Sequence, residues 1–218
     1  MVSVRPYVTA IAVLGLLGAG TGTALAAPIQ QHGPAGTTHA ITAASSIDDG
    51  SFEYPAAPAN SFTNVPTGGS IGPWAVTAGN VDHIGRGFWQ AADRDQSVDL
   101  NGGTAGTIAQ TFPTTPGKTY EVSYALASNP GGAPTVKTGR ALINGQNFQD
   151  FSFDSTGKTV TNMGYVGRHF TFVARSASTT LSFASTTAGS AHGPVIDDVV
   201  VRPSCCSCSC GQGATHRH

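Results

Sequence analysis

The chain has 218 residues, with 11 Lys and Arg against 12 Asp and Glu and a formal net charge of -1. Charge this sparse and balanced supplies no basic patch for nucleic acid or an anionic membrane surface. With 28 Gly and 13 Pro beside many Ser and Thr, the surface is polar mainly through hydroxyls and amides, a chemistry that suits neutral polyols.

Residues 1–26 read as a secretory signal peptide. Arg5 supplies the positive start, Val8 to Gly20 is apolar, and Ala24-Leu25-Ala26 is a small-residue cleavage signature. The run falls short of the roughly 20 apolar residues that a membrane span needs, so the mature chain is expected to be secreted. Residues 27–46, rich in Ala, Thr, Gly, Gln and His, read as a flexible linker. Residues 47–202 then have the ordinary length of one domain with its own core.

That stretch opens with Asp48-Asp49-Gly50-Ser51-Phe52-Glu53 and closes with Gly193-Pro194-Val195-Ile196-Asp197-Asp198-Val199-Val200-Val201. Each couples carboxylates to a short apolar run that reads as a strand. Lying side by side, the two would bring their carboxylates around one hard cation. Further on, Gly68-Gly69-Ser70-Ile71-Gly72 mimics a nucleophile elbow, but Pro73-Trp74 follow where that motif requires a helix.

From Trp74 onward the apolar period is two. Tyr120, Val122, Tyr124 and Leu126 alternate with Glu121, Ser123 and Ala125, and Phe151 with Phe153, Phe170 with Phe172 and Leu181 with Phe183 repeat the pattern. Turn signals separate these runs: Asn101-Gly102-Gly103, Thr115-Pro116-Gly117, Asn129-Pro130-Gly131-Gly132 and Ser155-Thr156-Gly157. Asn144-Gly145 favours a type I′ hairpin. No helical period occurs, so about nine short strands predict an all-β fold, an antiparallel jelly-roll β-sandwich.

Residues 203–218 read as a disordered tail rich in Cys and His. It holds all four cysteines, Cys205, Cys206, Cys208 and Cys210. None can staple the sandwich, which must stand on packing alone. Three readings are open for the tail: disulfides, including a disulfide-linked oligomer; soft-metal binding with His216 and His218; and no role.

Several motifs recur in a familiar order: Gly50-Ser51-Phe52-Glu53, Trp74-Ala75-Val76, Val81-Asp82-His83-Ile84-Gly85, Ser97-Val98-Asp99-Leu100-Asn101-Gly102, Gly106 to Phe112, Gly117-Lys118-Thr119-Tyr120 and Gly193 to Val199. Over Asp48 to Arg202 the chain resembles the choice-of-anchor C family of secreted bacterial proteins, which is similar to the plant cell-wall proteins of domain of unknown function 642. The resemblance implies a galactose-binding-like sandwich, extracellular, cell-wall associated in the plant members and without established catalysis. No sorting signal or hydrophobic stretch follows Arg202, which departs from the surface-anchored bacterial pattern.

In sugar-binding modules of this architecture the opening and last strands hold a structural calcium. By position, Glu53 and Asp197 would give side chains and Ser51 its carbonyl, since calcium takes about six to eight oxygens; the alternative is that these carboxylates cap turns. In an extended strand Asp197 shares a face with Val195, Val199 and Val201, and if that face is inward its charge needs a partner. Of the two tryptophans, Trp74 opens a strand and reads as core. Trp89, set among Arg86, Gln90 and Asp93, reads either as core or as a face on which a sugar ring stacks. Arg86, Asp82, His83 and Asn101 are then candidates to hydrogen-bond sugar hydroxyls, or else turn residues. The acids are Glu53, Glu121 and ten Asp, and none pairs into a glycosidase arrangement. The expected function is a non-catalytic, secreted module that binds a cell-wall or extracellular polysaccharide, possessing a structural calcium. The alternative is a structural or adhesive envelope protein that binds protein partners and crosslinks through its Cys tail.

Overall fold

Alternating apolar residues bury one face of each strand, and the computed structural model, which describes residues 44–204, packs twelve strands into two sheets. Residues 1–26, read above as a signal peptide, residues 27–43 of the stretch read as a linker, and all four tail cysteines lie outside the described residues. In chain order the strands are β1 (Phe62–Pro66), β2 (Ser70–Ile71), β3 (Trp74–Ala78), β4 (Asn80–Ile84), β5 (Ser97–Asp99), β6 (Thr107–Pro113), β7 (Thr119–Ser128), β8 (Val136–Ile143), β9 (Gln146–Asp154), β10 (Val166–Val173), β11 (Ser178–Ser185) and β12 (Pro194–Pro203). The first sheet runs β1-β4-β5-β12-β7-β10 and the second β2-β3-β6-β11-β8-β9. All pairings are antiparallel. The fold is therefore the all-β jelly-roll sandwich, with no helix among the described residues.

The core lies between the sheets. β7 contributes Tyr120, Val122, Tyr124 and Leu126, β6 contributes Ile108 and Phe112, and β11 contributes Leu181 and Phe183, all buried. Trp74 is wholly buried, with its ring 5.2 Å from Phe52 and 6.2 Å from Phe183, and its Nε1 donates to the Asp49 carbonyl at 3.0 Å. The β8–β9 hairpin turns on Asn144 and Gly145, both left-handed at φ 49° and 78°, as a type I′ turn requires.

Two expectations need correction. Gly50 to Glu53 is not a strand: Asp49 and Phe52 are left-handed at φ 45° and 58°, and Asp49 folds the segment by accepting the amides of Glu53 and Tyr54. It nevertheless runs beside β12, with Ser46 N bonded to Val201 O and Val199 N to Gly50 O. That approach demands glycine, because a Cβ at Gly50 would meet the Val199 carbonyl at 1.9 Å. Second, Asp197 does not share a face with Val201. Ile196 pairs with Leu126 and Val201 with Val122 across a register shift after Asp197, so a bulge at left-handed Asp198 reverses the parity. Ile196 and Val201 face the core, and Asp197 points to the opposite face of its sheet.

Trp74→Ala should lower stability by about 3–5 kcal/mol through the cavity it leaves, measured by denaturant melts. A loss below about 1 kcal/mol would contradict this core assignment.

Candidate functional site

Register fixes which side chains look outward from the first sheet. Phe62 pairs with Ile84 and Asn64 with Asp82, Asp82 pairs with Asp99 and Ile84 with Ser97, and Val195 pairs with Asp99. One face therefore carries Phe62, Asn64, Asp82, Ile84, Ser97, Asp99 and Val195. Most of this face is not open to solvent. The segment after β4 and the β9–β10 connection lie over it, joined by Gln90 N to Val160 O at 2.8 Å and Met163 N to Gln90 Oε1 at 3.0 Å.

A cleft of about 330 Å³ remains beside this cover. One wall is apolar, made by Phe62, Ile84, Phe88, Trp89 and Val160; the other presents Asp82, Asn129, Gly131 and His192. Phe62 is 44 % exposed and meets Phe88 edge-on at 5.5 Å. Asp82 takes a hydrogen bond from Asn64 Nδ2 at 2.8 Å. Burial holds its carboxyl above the usual range, against the opposing effects of Asn64 and His192.

The polar wall is pinned from behind. Asp99, wholly buried, accepts Asn129 Nδ2 at 2.8 Å and the amides of Asn101 and Gly193 at 2.9 Å each. Burial, reinforced by the neighbouring Asp82, pushes its carboxyl up to about 7 against those hydrogen bonds. Lys137, also fully buried on β8, reaches the carbonyls of Gly131 and Gly132 at 3.3 and 3.2 Å. His192 packs on the same loop: Gly132 is left-handed at φ 57°, and a Cβ there would lie 2.3 Å from the His192 Nδ1.

Of the residues expected to bind sugar, Asp82 and Trp89 line the cleft, whereas Arg86 and Asn101 are not among its walls. Trp89 is not an open stacking platform. It is only 6 % exposed and donates Nε1 to Ser97 Oγ at 2.9 Å, so it forms a floor beneath the more exposed Phe62 and Phe88. Asn101 is buried and spends its amide on the Thr187 and Ser190 carbonyls, both at 2.8 Å. Arg86 offers its carbonyl to Asn60 N. His83 turns inward to the Phe52 carbonyl at 2.8 Å. Sequence reasoning singled out none of Phe62, Phe88, Asn129 and His192 as a ligand residue. The one available signal was the Asn129-Pro130-Gly131-Gly132 turn, which by itself specifies no ligand.

Ser51, Glu53 and Asp197 do meet a common element, the segment 92–96. Ser51 Oγ donates to Asp93 Oδ2, Glu53 Oε1 accepts the amides of Asp95 and Gln96, and Asp197 Oδ2 accepts those of Ala92 and Asp93. Asp197 Oδ1 takes the amide of Asp198. Burial pushes the Asp197 carboxyl up to about 7, the three amide bonds oppose this, and Asp93 adds repulsion. Among the described residues no three His, Cys, Asp or Glu side chains close on a common metal position. These residues thus fit a cation only in part, through a buried carboxylate with a like-charged neighbour. The elbow mimic has no catalytic setting: Ser70 opens a two-residue strand that turns straight into β3.

Asp99 sets a pH dependence. Its folded pKa of about 7 lies above its ordinary 3.8, so between these values the folded state holds a proton that the unfolded chain does not. Stability from this group is therefore lost as pH rises through the window. Asp99→Asn abolishes the titration and keeps an oxygen for two of the three donors. From about pH 5 to about pH 8 the wild-type melting temperature should fall relative to that of the variant. A gap independent of pH would refute the assignment.

A relative in Arabidopsis thaliana, Protein TEEBE, is 33% identical over 128 residues, covering 56% of this chain and 33% of that protein. The chain thus spans about a third of the length of this curated relative. Among solved structures, a family 35 carbohydrate binding module from Clostridium thermocellum matches with TM-score 0.45 and 13% identity, over 66% of this chain and 99% of that one. TmCBM61, solved in complex with beta-1,4-galactotriose, matches with TM-score 0.47 and 13% identity, over 74% and 100%. The model of the protein family of unknown function DUF642 matches residues 45–202, the whole sandwich, and the chain belongs to that family.

Proposed function

We propose that this is a secreted, non-catalytic module that binds a cell-wall or extracellular polysaccharide in the cleft beside β1 and β4. The observation that carries this reading is the pairing of an aromatic wall with a preorganised polar one. Sugar rings offer apolar C–H faces and hydroxyl edges together, and Phe62 and Phe88 on one side with Asp82, Asn129 and His192 on the other match both. The secretory signature at 1–26 and the resemblance to choice-of-anchor C and plant cell-wall proteins support an extracellular setting. Ser70, Glu53 and Glu121 stand in no acid–base or nucleophile arrangement, which supports binding without turnover.

A structural calcium at Ser51, Glu53 and Asp197 is the finer part of the proposal. It is supported by the buried Asp197 beside Asp93, whose mutual repulsion a cation would relieve. The ion would use carboxylate lone pairs not taken by the amides of segment 92–96 and tie the domain's two ends together. Calcium at ~100-fold over its Kd would then stabilise by about 2.7 kcal/mol, and Asp197→Asn would erase the shift. An identical melting temperature in calcium and in chelator would show that the amides alone hold these carboxylates.

Glycan binding is tested by polysaccharide pull-down and a glycan array with the mature chain. Retention without soluble product is the expected outcome, and Phe62→Ala should weaken it by about 1 kcal/mol, roughly fivefold, with little change in stability. Absence of retention on every polysaccharide, with capture of envelope proteins instead, would favour the adhesive alternative.

A further inference from the structure

The cleft has an unbalanced charge. Asp82 is 8 % exposed and lines it. Its Oδ1 takes Asn64 Nδ2, while Oδ2 has no hydrogen-bond partner among the described residues. Asp99 stands directly across the strand pair from Asp82 on the same face, and like charges so placed repel. No Lys or Arg lies in the cleft wall. Lys137, behind the polar wall, is committed to the carbonyls of Gly131 and Gly132. The one titratable group of opposite sign in the wall is His192, which packs on Gly131 and Gly132. Arg86, though close in sequence, is outside the wall.

A largely buried carboxylate with one oxygen that no protein donor takes, in a cleft it shares with Phe62, Phe88 and Trp89, is a combination suited to a cation. The carboxylate supplies charge and the aromatic faces supply cation–π attraction. A neutral hydroxyl would complete the hydrogen bonding of Asp82 but would leave the charge uncompensated. A uronic acid would add a third carboxylate to the Asp82 and Asp99 pair.

We infer that the cleft selects a sugar carrying a free ammonium group, such as a de-N-acetylated glucosamine unit, with the ammonium on Asp82 Oδ2 and the ring face on Phe62 and Phe88. This rests on the glycan-binding reading above and narrows its substrate class.

The test is isothermal titration of the mature chain with three ligands, at a pH where the amines are protonated: a glucosamine oligomer, the same oligomer fully N-acetylated, and an oligolysine of matching charge. The glucosamine oligomer should bind about tenfold or more tightly than its acetylated counterpart and weaken with added salt. Asp82→Asn should bring the two sugars level. Should that variant fold poorly, Phe62→Ala on the exposed wall should weaken the glucosamine oligomer while leaving its preference over the acetylated sugar. Equal or tighter binding of the acetylated sugar by the wild type overturns the inference while sparing the glycan-binding reading. Tighter binding of oligolysine reassigns the cleft to a basic peptide, and binding of no sugar at all removes both.

Discussion

Carboxylates that take amide hydrogens, buried at Asp99 and Asp197 and half-buried at Asp49 and Glu53, hold this molecule's loops in place. Asp99 joins the end of β5, the loop after β7 and the turn before β12 through three donors. Asp197 clamps segment 92–93, Glu53 clamps 95–96, and Asp49 folds the opening segment on itself. A sheet satisfies its own polar backbone through its ladder, but the irregular cover over the first sheet has no ladder and must find acceptors elsewhere. With no cysteine inside the sandwich, such bonds serve where a crosslink otherwise would.

Lys137 supplies the opposite charge in the same scheme. It occupies the inward series Lys137, Gly139, Ala141 and Ile143 of β8, all buried, where an ammonium is costly unless fully bonded. Its stem runs with the core and its Nζ emerges among the Gly131 and Gly132 carbonyls and Ser155 Oγ. Burial draws its pKa down, and Asp99 and Asp154 oppose that shift. The loop it grips forms the polar wall of the cleft, so a residue of the second sheet positions a site on the first. Rigidity of this kind favours binding, because the loop is ordered before the ligand arrives.

Period-two alternation made β7, β9, β10 and β11 legible, and Asn144-Gly145 revealed the hairpin that joins β8 to β9, because side-chain spacing and left-handed turn chemistry are local properties. β1 and β2 were not legible. Phe62–Pro66 shows only one buried residue, Val65, and Ser70–Ile71 is too short to display a period. The opening carboxylate segment, Asp48 to Glu53, reads as a strand in sequence, yet left-handed Asp49 and Phe52 break any extended run. At Asp197 the error had a different origin. A bulge changes parity by one residue, and no sequence period records the shift that carries Asp197 away from Val201.

The site was less legible than the fold for a related reason. Trp89 looked like a ligand face from its polar neighbours, but its indole nitrogen is satisfied by Ser97, eight residues later and on another strand. Asn101 looked like a hydroxyl partner, but its side-chain NH2 is consumed by carbonyls 86 and 89 residues away and its Oδ1 is shut off from solvent. Whether a polar side chain is free to meet a ligand depends on what the distant chain leaves unbonded. Asp82 shows the converse. In sequence it reads as a hydroxyl partner or a turn residue, and it lines the cleft because β1 places Phe62 and Asn64 beside it and β5 sets Asp99 opposite. The cleft is thus a product of strand register, and a register shift of one residue in β4 would turn Asp82 into the core and His83 into the cleft.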